Sequence, residues 1–422
     1  MDQAVNKTVL SNGITILTKH MPHVRSVSMG VWVNVGARDE SREENGLSHL
    51  IEHMIFKGTR TRTAYEIAKE FDAIGGQTNA FTAMENTCYH ARVLESHLDT
   101  MVDILSDIFL NSIFEAVEVE RERPVILQEI GMVEDSPEEY IHILTGRNYW
   151  GDNPLGRSIL GSPDNILRFD AEAVRSFFQR CYQPDRILIA AAGQVAHNAL
   201  VDRLAPAFEA IQPGQGFRER ETPIVQRQVE VCHRQLEQVH LCLSTPGLAT
   251  THPERFAFSL MNSILGGNMS SRLFQEIREK RGLAYAVYSY LVSYEDTGMF
   301  GVYAGVEPSR AVEVTSLIAQ ILNQLKEKPV PIGELRDAKE FTKGSMLLAS
   351  ESTDNQMVRL AQGEINYQRY VPMEEVVAHI DAVSPEDIQA LAVRLFQDQQ
   401  LVLTVLGPLS ELAPFRDAIQ FL

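Results

Sequence analysis

Cysteine is scarce in this 422-residue chain, with only Cys88, Cys181, Cys232 and Cys242. No two of them form a C-x-x-C pair, so neither a disulfide framework nor a thiolate metal site is indicated, and a reducing compartment fits. Long apolar runs are missing as well. None approaches the roughly 18 residues of a membrane-spanning helix. The N-terminus runs from Met1 straight into a hairpin pattern around Asn12-Gly13, with no apolar signal core and no Arg/Ser-rich leader. The expectation is a cytoplasmic protein without membrane contact. Positive charge is also in short supply. Thirty-eight Lys and Arg stand against 56 Asp and Glu, a net charge of −18, which argues against nucleic acid as a partner and leans toward basic peptides. What is present is ordinary for a globular chain, 44% hydrophobic and 22% charged. The length allows two or more domains, each with its own core.

The most informative stretch is residues 45–58. It reads as one helix, with Asn45 as N-cap, Lys57 in the last turn and Gly58 as the stop. Leu47, Leu50, Ile51, Met54 and Ile55 share one face, and His49, Glu52 and His53 share the opposite one. The spacing is His-x-x-Glu-His, the inverse of the common zinc-protease order. Two neutral imidazoles one turn apart can grip a single Zn²⁺. The glutamate beside them can take a proton from water whose pKa the metal lowers to about 7. A solvated polar helix face is the competing reading, and the apolar stripe opposite the motif favours the metal.

Around this stretch the chain alternates strand and helix patterns. Val27, Met29, Val31, Val33 and Val35 alternate as a half-buried strand should. A helix is expected over about 64–74, ending at Gly75-Gly76, then strands over 77–82 and 86–93, then a helix through Leu98, Met101, Val102, Leu105 and Ile108. In the acidic stretch 115–130, Glu122 and Glu129 lie seven apart, on one helical face. Pro124 predicts a kink or the start of a new helix there. Pro213-Gly214-Gln215-Gly216, followed by charged residues, reads as a linker. The segment 170–195 recurs as 384–409 without a gap, so that Gly193 and Gly407 lie 214 positions apart. This is an internal duplication into halves of about 210 residues. The second half has no His-x-x-Glu-His, and its counterpart region carries Leu265-Gly266-Gly267-Asn268-Met269-Ser270.

With both halves in view, the chain resembles the pitrilysin family of inverzincin zinc metallopeptidases. Its motifs are similar in particular to those of the mitochondrial processing peptidase β subunit and its short bacterial relatives. The likeness rests on Gly46-x-x-His49-x-x-Glu52-His53-Met54-x-Phe56-Lys57-Gly58-Thr59, on Asn79-Ala80-Phe81-Thr82 with Glu85, and on Glu120-Arg121-Glu122-Arg123-x-Val125-Ile126-Leu127-x-Glu129. Leu155-Gly156-Arg157-x-Ile159-Leu160-Gly161 and Arg278-x-x-Arg281-Gly282-Leu283-Ala284-Tyr285 add to it.

The resemblance implies one zinc per chain, with Glu129, 76 residues after His53, as the third ligand and Glu122 steadying a ligand. It implies that residues 77–82 form an edge strand to which a peptide adds, with Asn79, Ala80 and Phe81 contacting it. It implies that Arg278 and Tyr285 reach the substrate near its scissile carbonyl. The fold it implies is α+β: a catalytic domain over 1–212, a linker over 213–222 and a metal-free homologous domain over 223–422. Each would be a mostly antiparallel sheet with helices packed on one side, the pair forming half of a clamshell. A homodimer follows by likeness, with a heterodimer containing a zinc-free paralogue as the known variation. The implied activity is cleavage of peptides or unfolded segments in a chamber, Glu52 activating a zinc-bound water. The alternative is a non-catalytic peptide-binding or assembly subunit, which intact His49, Glu52, His53 and Glu129 disfavour.

Overall fold

A computed structural model describes residues 5–214, 217, 219–225 and 227–419. They form two compact units, each assembled from separate stretches of chain. The first takes residues up to 131, 157–220 and 348–371. The second takes 132–156, 221–347 and the residues from 372 on.

The first unit carries a six-stranded sheet built from β1 (Val5–Val9), β2 (Thr15–His20), β3 (Ser26–Val33), β4 (Gln77–Thr82), β5 (Thr87–Leu94) and β6 (Ile187–Gly193). Their spatial order is β1-β2-β6-β3-β5-β4, so β4 is an edge strand. All neighbours are antiparallel except β2 and β6. The Asn12-Gly13 turn is where the sequence puts it: Gly13 takes φ 101° and the Asn12 side chain accepts from the Ile14 amide. Four helices follow in this part of the chain: α1 (Leu47–Met54), α2 (Ala64–Ala73), α3 (Leu98–Asn111) and α4 (Ala116–Asp135). Met101, Ile104, Leu105 and Ile108 of α3 join Val27, Met29, Val31 and Val33 of β3 in the main core, on one face of the sheet. Pro124 lies inside α4, which runs through it as one helix and keeps Glu122 and Glu129 on a common face.

The strand β3 is not half-buried as its alternation suggests. Both its faces are covered. The face away from the main core holds Leu17, Trp32, Cys88, Leu188, Ala190 and Ala192, and the helix Thr353–Tyr367 lies on them through Met357, Leu360 and Ala361. The Trp32 indole donates to the Met357 sulfur at 3.2 Å. That sulfur also comes within 2.8 Å of where a Cβ on Gly30 would stand, so only glycine fits beneath it.

The second unit repeats the plan with β7 (Gln228–His233), β8 (Val239–Pro246), β9 (Ala284–Ser293), β10 (Gly298–Val306) and β11 (Val402–Gly407), in the order β7-β11-β8-β10-β9. The pair β7 and β11 is parallel, like β2 and β6, and β9 is at the edge, like β4. The helix Ala171–Cys181 ahead of β6 matches the helix Pro385–Leu395 ahead of β11. One face of this sheet is covered by α5 (Pro137–Trp150), whose Ile141 and Leu144 meet Cys242, Tyr303 and Leu406. The buried Asn148 amide donates to Thr404 Oγ1 at 3.0 Å.

The architecture is therefore α+β, two units each with a sheet and its helices. The units cut across the expected halves 1–212 and 223–422. Helix α5, from the first half, belongs to the second unit, and the helix Thr353–Tyr367, from the second half, belongs to the first. The reason is apolar burial: each covers the sheet face that its host's own helices leave bare. Of the expected linker, Gln215, Gly216 and Arg218 lie outside the described residues. Its Arg220 forks onto both carboxylate oxygens of Asp39 at 2.8 Å, within the first unit. No helix among the described residues is long and apolar enough to cross a membrane.

Candidate metal centre

The helix carrying His49 and His53 is shorter than its sequence suggests, running from Leu47 to Met54. Asn45 does not cap it. Gly46 occupies the N-cap position with φ 109°, and the Asn45 side chain instead donates to Glu40 Oε2 and to the Ser158 carbonyl, both at 3.0 Å. The cap is Glu40. Its carboxyl oxygens accept from the Gly46 amide at 2.9 Å and the Ser48 amide at 2.7 Å, at the helix's positive end. Burial pushes this carboxyl up to about 7 against the opposing pull of those hydrogen bonds. Gly161 explains part of the Leu155–Gly161 motif. A Cβ there would stand 2.5 Å from the Asn45 carbonyl, so the two backbones touch only through glycine. At the other end, Gly58 is not the stop. It takes φ 127° beyond the helix and bridges to Thr63.

His49 and His53 project from α1 with ring centroids 4.6 Å apart. Glu129 comes from α4, and its Oε2 lies 3.7 Å from both Nε2 atoms. Among the described residues, His49, His53 and Glu129 are the one group of three able to hold a metal ion, with ligand atoms within 4.8 Å of one another. A tetrahedron built on bonds of about 2.0–2.1 Å has edges of about 3.3 Å, near the two 3.7 Å separations from Glu129. Two imidazoles and one carboxylate form the donor set of a catalytic zinc site with a position left for water.

Electrostatics prepare these groups. Burial, and then the charge of His53, pushes His49 down to about 4, so it is neutral and its lone pair is available. Burial would raise Glu122, but hydrogen bonds from Lys57 and His53 outweigh it and hold this carboxyl below its ordinary value. Its oxygens lie 2.9 Å from His53 Nδ1 and 2.6 Å from Lys57 Nζ. An anionic Glu122 makes Nδ1 the protonated nitrogen of His53 and leaves the Nε2 lone pair toward Glu129.

Glu52 stands between the two histidines in the sequence of α1, near enough for the charges of His53 and Glu129 to act on it. Its Oε2 accepts from the Thr82 hydroxyl at 2.6 Å, and burial raises its carboxyl above the ordinary value. Thr82 ends the edge strand β4. Along that strand Asn79 is exposed, and its side-chain oxygen accepts from the Ala80 amide at 2.9 Å. Phe81 packs its ring against Trp32, with centroids 5.4 Å apart. Arg278 and Tyr285 belong to the second unit. There the Arg278 guanidinium stacks over the Phe274 and Tyr285 rings at 4.8 and 4.9 Å, and Tyr285 is 79% exposed at the start of β9.

Glu40 and Thr82 are the residues that sequence reasoning missed. Thr82 stood inside a recognised motif. Glu40 had no local signal, because it caps a helix that begins seven residues later.

Comparison with known proteins places this site in context. Residues 15–163 match the model of the insulinase family, peptidase family M16, and residues 168–341 match the model called the peptidase M16 inactive domain. An uncharacterised zinc protease of Streptomyces coelicolor is 40% identical over 415 residues, 96% of this chain and 90% of its own. One from Bacillus subtilis is 38% identical over 402 residues, 94% and 98% of the two chains. A protease from Helicobacter pylori has the same fold, with TM-score 0.90 at 21% identity over 97% of this chain and all of that one. The stretch matched by the inactive-domain model, 168–341, contains no His-x-x-Glu-His, and the chain belongs to the insulinase family of peptidases, M16.

Proposed function

We propose that this chain is a zinc-dependent endopeptidase in which Glu52 is the general base. The observation that carries the reading is the convergence of His49, His53 and Glu129 beside a glutamate on the same two-turn helix. Zinc held by those three residues would supply Lewis acidity, lowering the pKa of a water to about 7 and polarising the scissile carbonyl. Glu52 takes the proton from the attacking water and returns it to the leaving amine nitrogen. β4 is an edge strand, the kind of element to which an extended peptide adds through its backbone. Asn79 and Ala80 line that edge, while Phe81 supports it from Trp32. Arg278 and Tyr285 serve as donors to the carbonyl oxygen as charge develops on it. The stacking of Arg278 between two rings supports a fixed donor. Unfolded peptides are the substrate class, basic ones favoured by the net charge of −18. By likeness to the short members of the family, the working assembly is a homodimer, and light scattering tests it.

The test of the reading is direct. The purified protein should carry about one zinc per chain and cleave a quenched fluorescent basic peptide, with loss on chelation and recovery on adding Zn²⁺. Zinc-free protein that binds the peptide and never cleaves it would make the chain a peptide-binding subunit instead.

A further inference from the structure

The hydroxyl of Thr82 has two acceptors in reach, Glu52 Oε2 at 2.6 Å and the Ser48 carbonyl at 3.4 Å. It has one proton to give, and the shorter, charge-assisted bond takes it. The Thr82 backbone also hydrogen-bonds the Glu52 carboxylate, so hydroxyl and main chain of one strand residue hold it together. Thr82 is β-branched and stiff at χ1, and its backbone pairs with Thr87 of β5. The hydroxyl is therefore fixed to the sheet, whereas Glu52 hangs from α1 on a side chain with three torsions.

We propose that Thr82 is a positioning residue. It ties the Glu52 carboxylate to the strand whose outer edge pairs with the substrate, so base and scissile bond share one frame of reference. This rests on the peptidase reading above. Without the hydroxyl, the carboxylate samples rotamers that miss the attacking water, and misorientation of a base costs rate more than binding.

Thr82→Val keeps the branching and removes the proton. Its kcat should fall about 10- to 100-fold, the scale of one lost hydrogen bond to a charged group. KM, zinc content after dialysis and the affinity of the metal-stripped protein for the same peptide, read by fluorescence anisotropy, should stay within about twofold. Thr82→Ser should recover most of the rate, because it restores the donor. If the valine variant melts early, Thr82→Ala tests the same proton and the same division of effects is expected. Unchanged kcat in the variants overturns the proposal. So does a loss confined to KM and peptide affinity, which would make Thr82 a plain strand residue, and so does failure of serine to rescue. Wild-type protein that holds no zinc and cleaves nothing brings down the peptidase reading and this inference with it. Wild-type protein that cleaves, beside an unaffected Thr82→Val, brings down this inference alone.

Discussion

Glu122 and Glu129 share a helix face and hold different atoms. Glu129 meets both imidazoles at the nitrogens that would bind metal, while Glu122 meets the back of His53 and the Lys57 ammonium. Glu129→Gln should therefore lose zinc on dialysis. Glu122→Gln should keep more of it, at a cost of about 10–100-fold in affinity. Metal analysis after dialysis decides between them, and the reverse order would mean the two roles are exchanged. Glu52→Gln should retain about one zinc per chain and lose turnover, since an amide of the same shape accepts no proton. Near-normal turnover in that variant would refute its assignment as the base. His49 makes a pH prediction for the metal-stripped protein. Its folded value of about 4 lies below the ordinary 6.5. Between the two, the unfolded chain binds the extra proton, so stability is full above about pH 6.5 and is lost as pH falls toward 4, by about 3 kcal/mol in all. Urea titrations across this range should show that loss in the wild type and a flatter profile in His49→Asn. At this scale His49, Glu52 and His53 were legible because helical periodicity alone puts them within one turn. Glu129 was reached only through the family resemblance, since a 76-residue gap carries no geometry. Thr82 bonds across to α1 from a strand, and no local pattern announces such a contact.

A helix of two turns is marginal on its own, and α1 is held by its ends. Glu40 satisfies the Gly46 and Ser48 amides and the Asn45 amide group from a buried position. Glu40→Ala would leave those donors buried without an acceptor, at about 1–3 kcal/mol for each unsatisfied group. The expected outcome is a lower melting temperature of the metal-free protein together with weaker zinc binding, because the same helix start positions His49. Zinc titration and calorimetry check both, and unchanged zinc affinity would show that Glu40 does not set the site. Elements bounded by strong local signals were legible: β4 begins right after Gly75-Gly76, and the first hairpin turns at Asn12-Gly13. The ends of α1 were not, because the side chain that caps it lies outside the stretch and Asn45 serves that cap in place of the helix. The second face of β3 was not legible either, since the helix that covers it arrives some 320 residues later in the sequence.

The duplication was legible across the whole chain through a repeated helix–strand–glycine unit, and the exchange of helices between the halves was not. A repeat in sequence marks which segments are alike, whereas exchange depends on which apolar faces remain uncovered. This bears on dissection. Residues 1–212 alone lack the helix Thr353–Tyr367, so Leu17, Trp32, Cys88 and Leu188 would face water. That fragment should aggregate or bind zinc poorly, and co-expression with residues 223–422 should give a soluble pair that co-elutes on gel filtration. A monodisperse 1–212 fragment with full zinc content would show that the covering helix is dispensable. The same helix sets a clock on synthesis. A ribosome adding about 5–20 residues per second needs roughly 8–30 s to pass from residue 212 to residue 371. Throughout that interval the first sheet is complete in strands yet bare on its Trp32 side. The nascent chain is at its stickiest then, and the wait ends only when the helix Thr353–Tyr367 has emerged to close it.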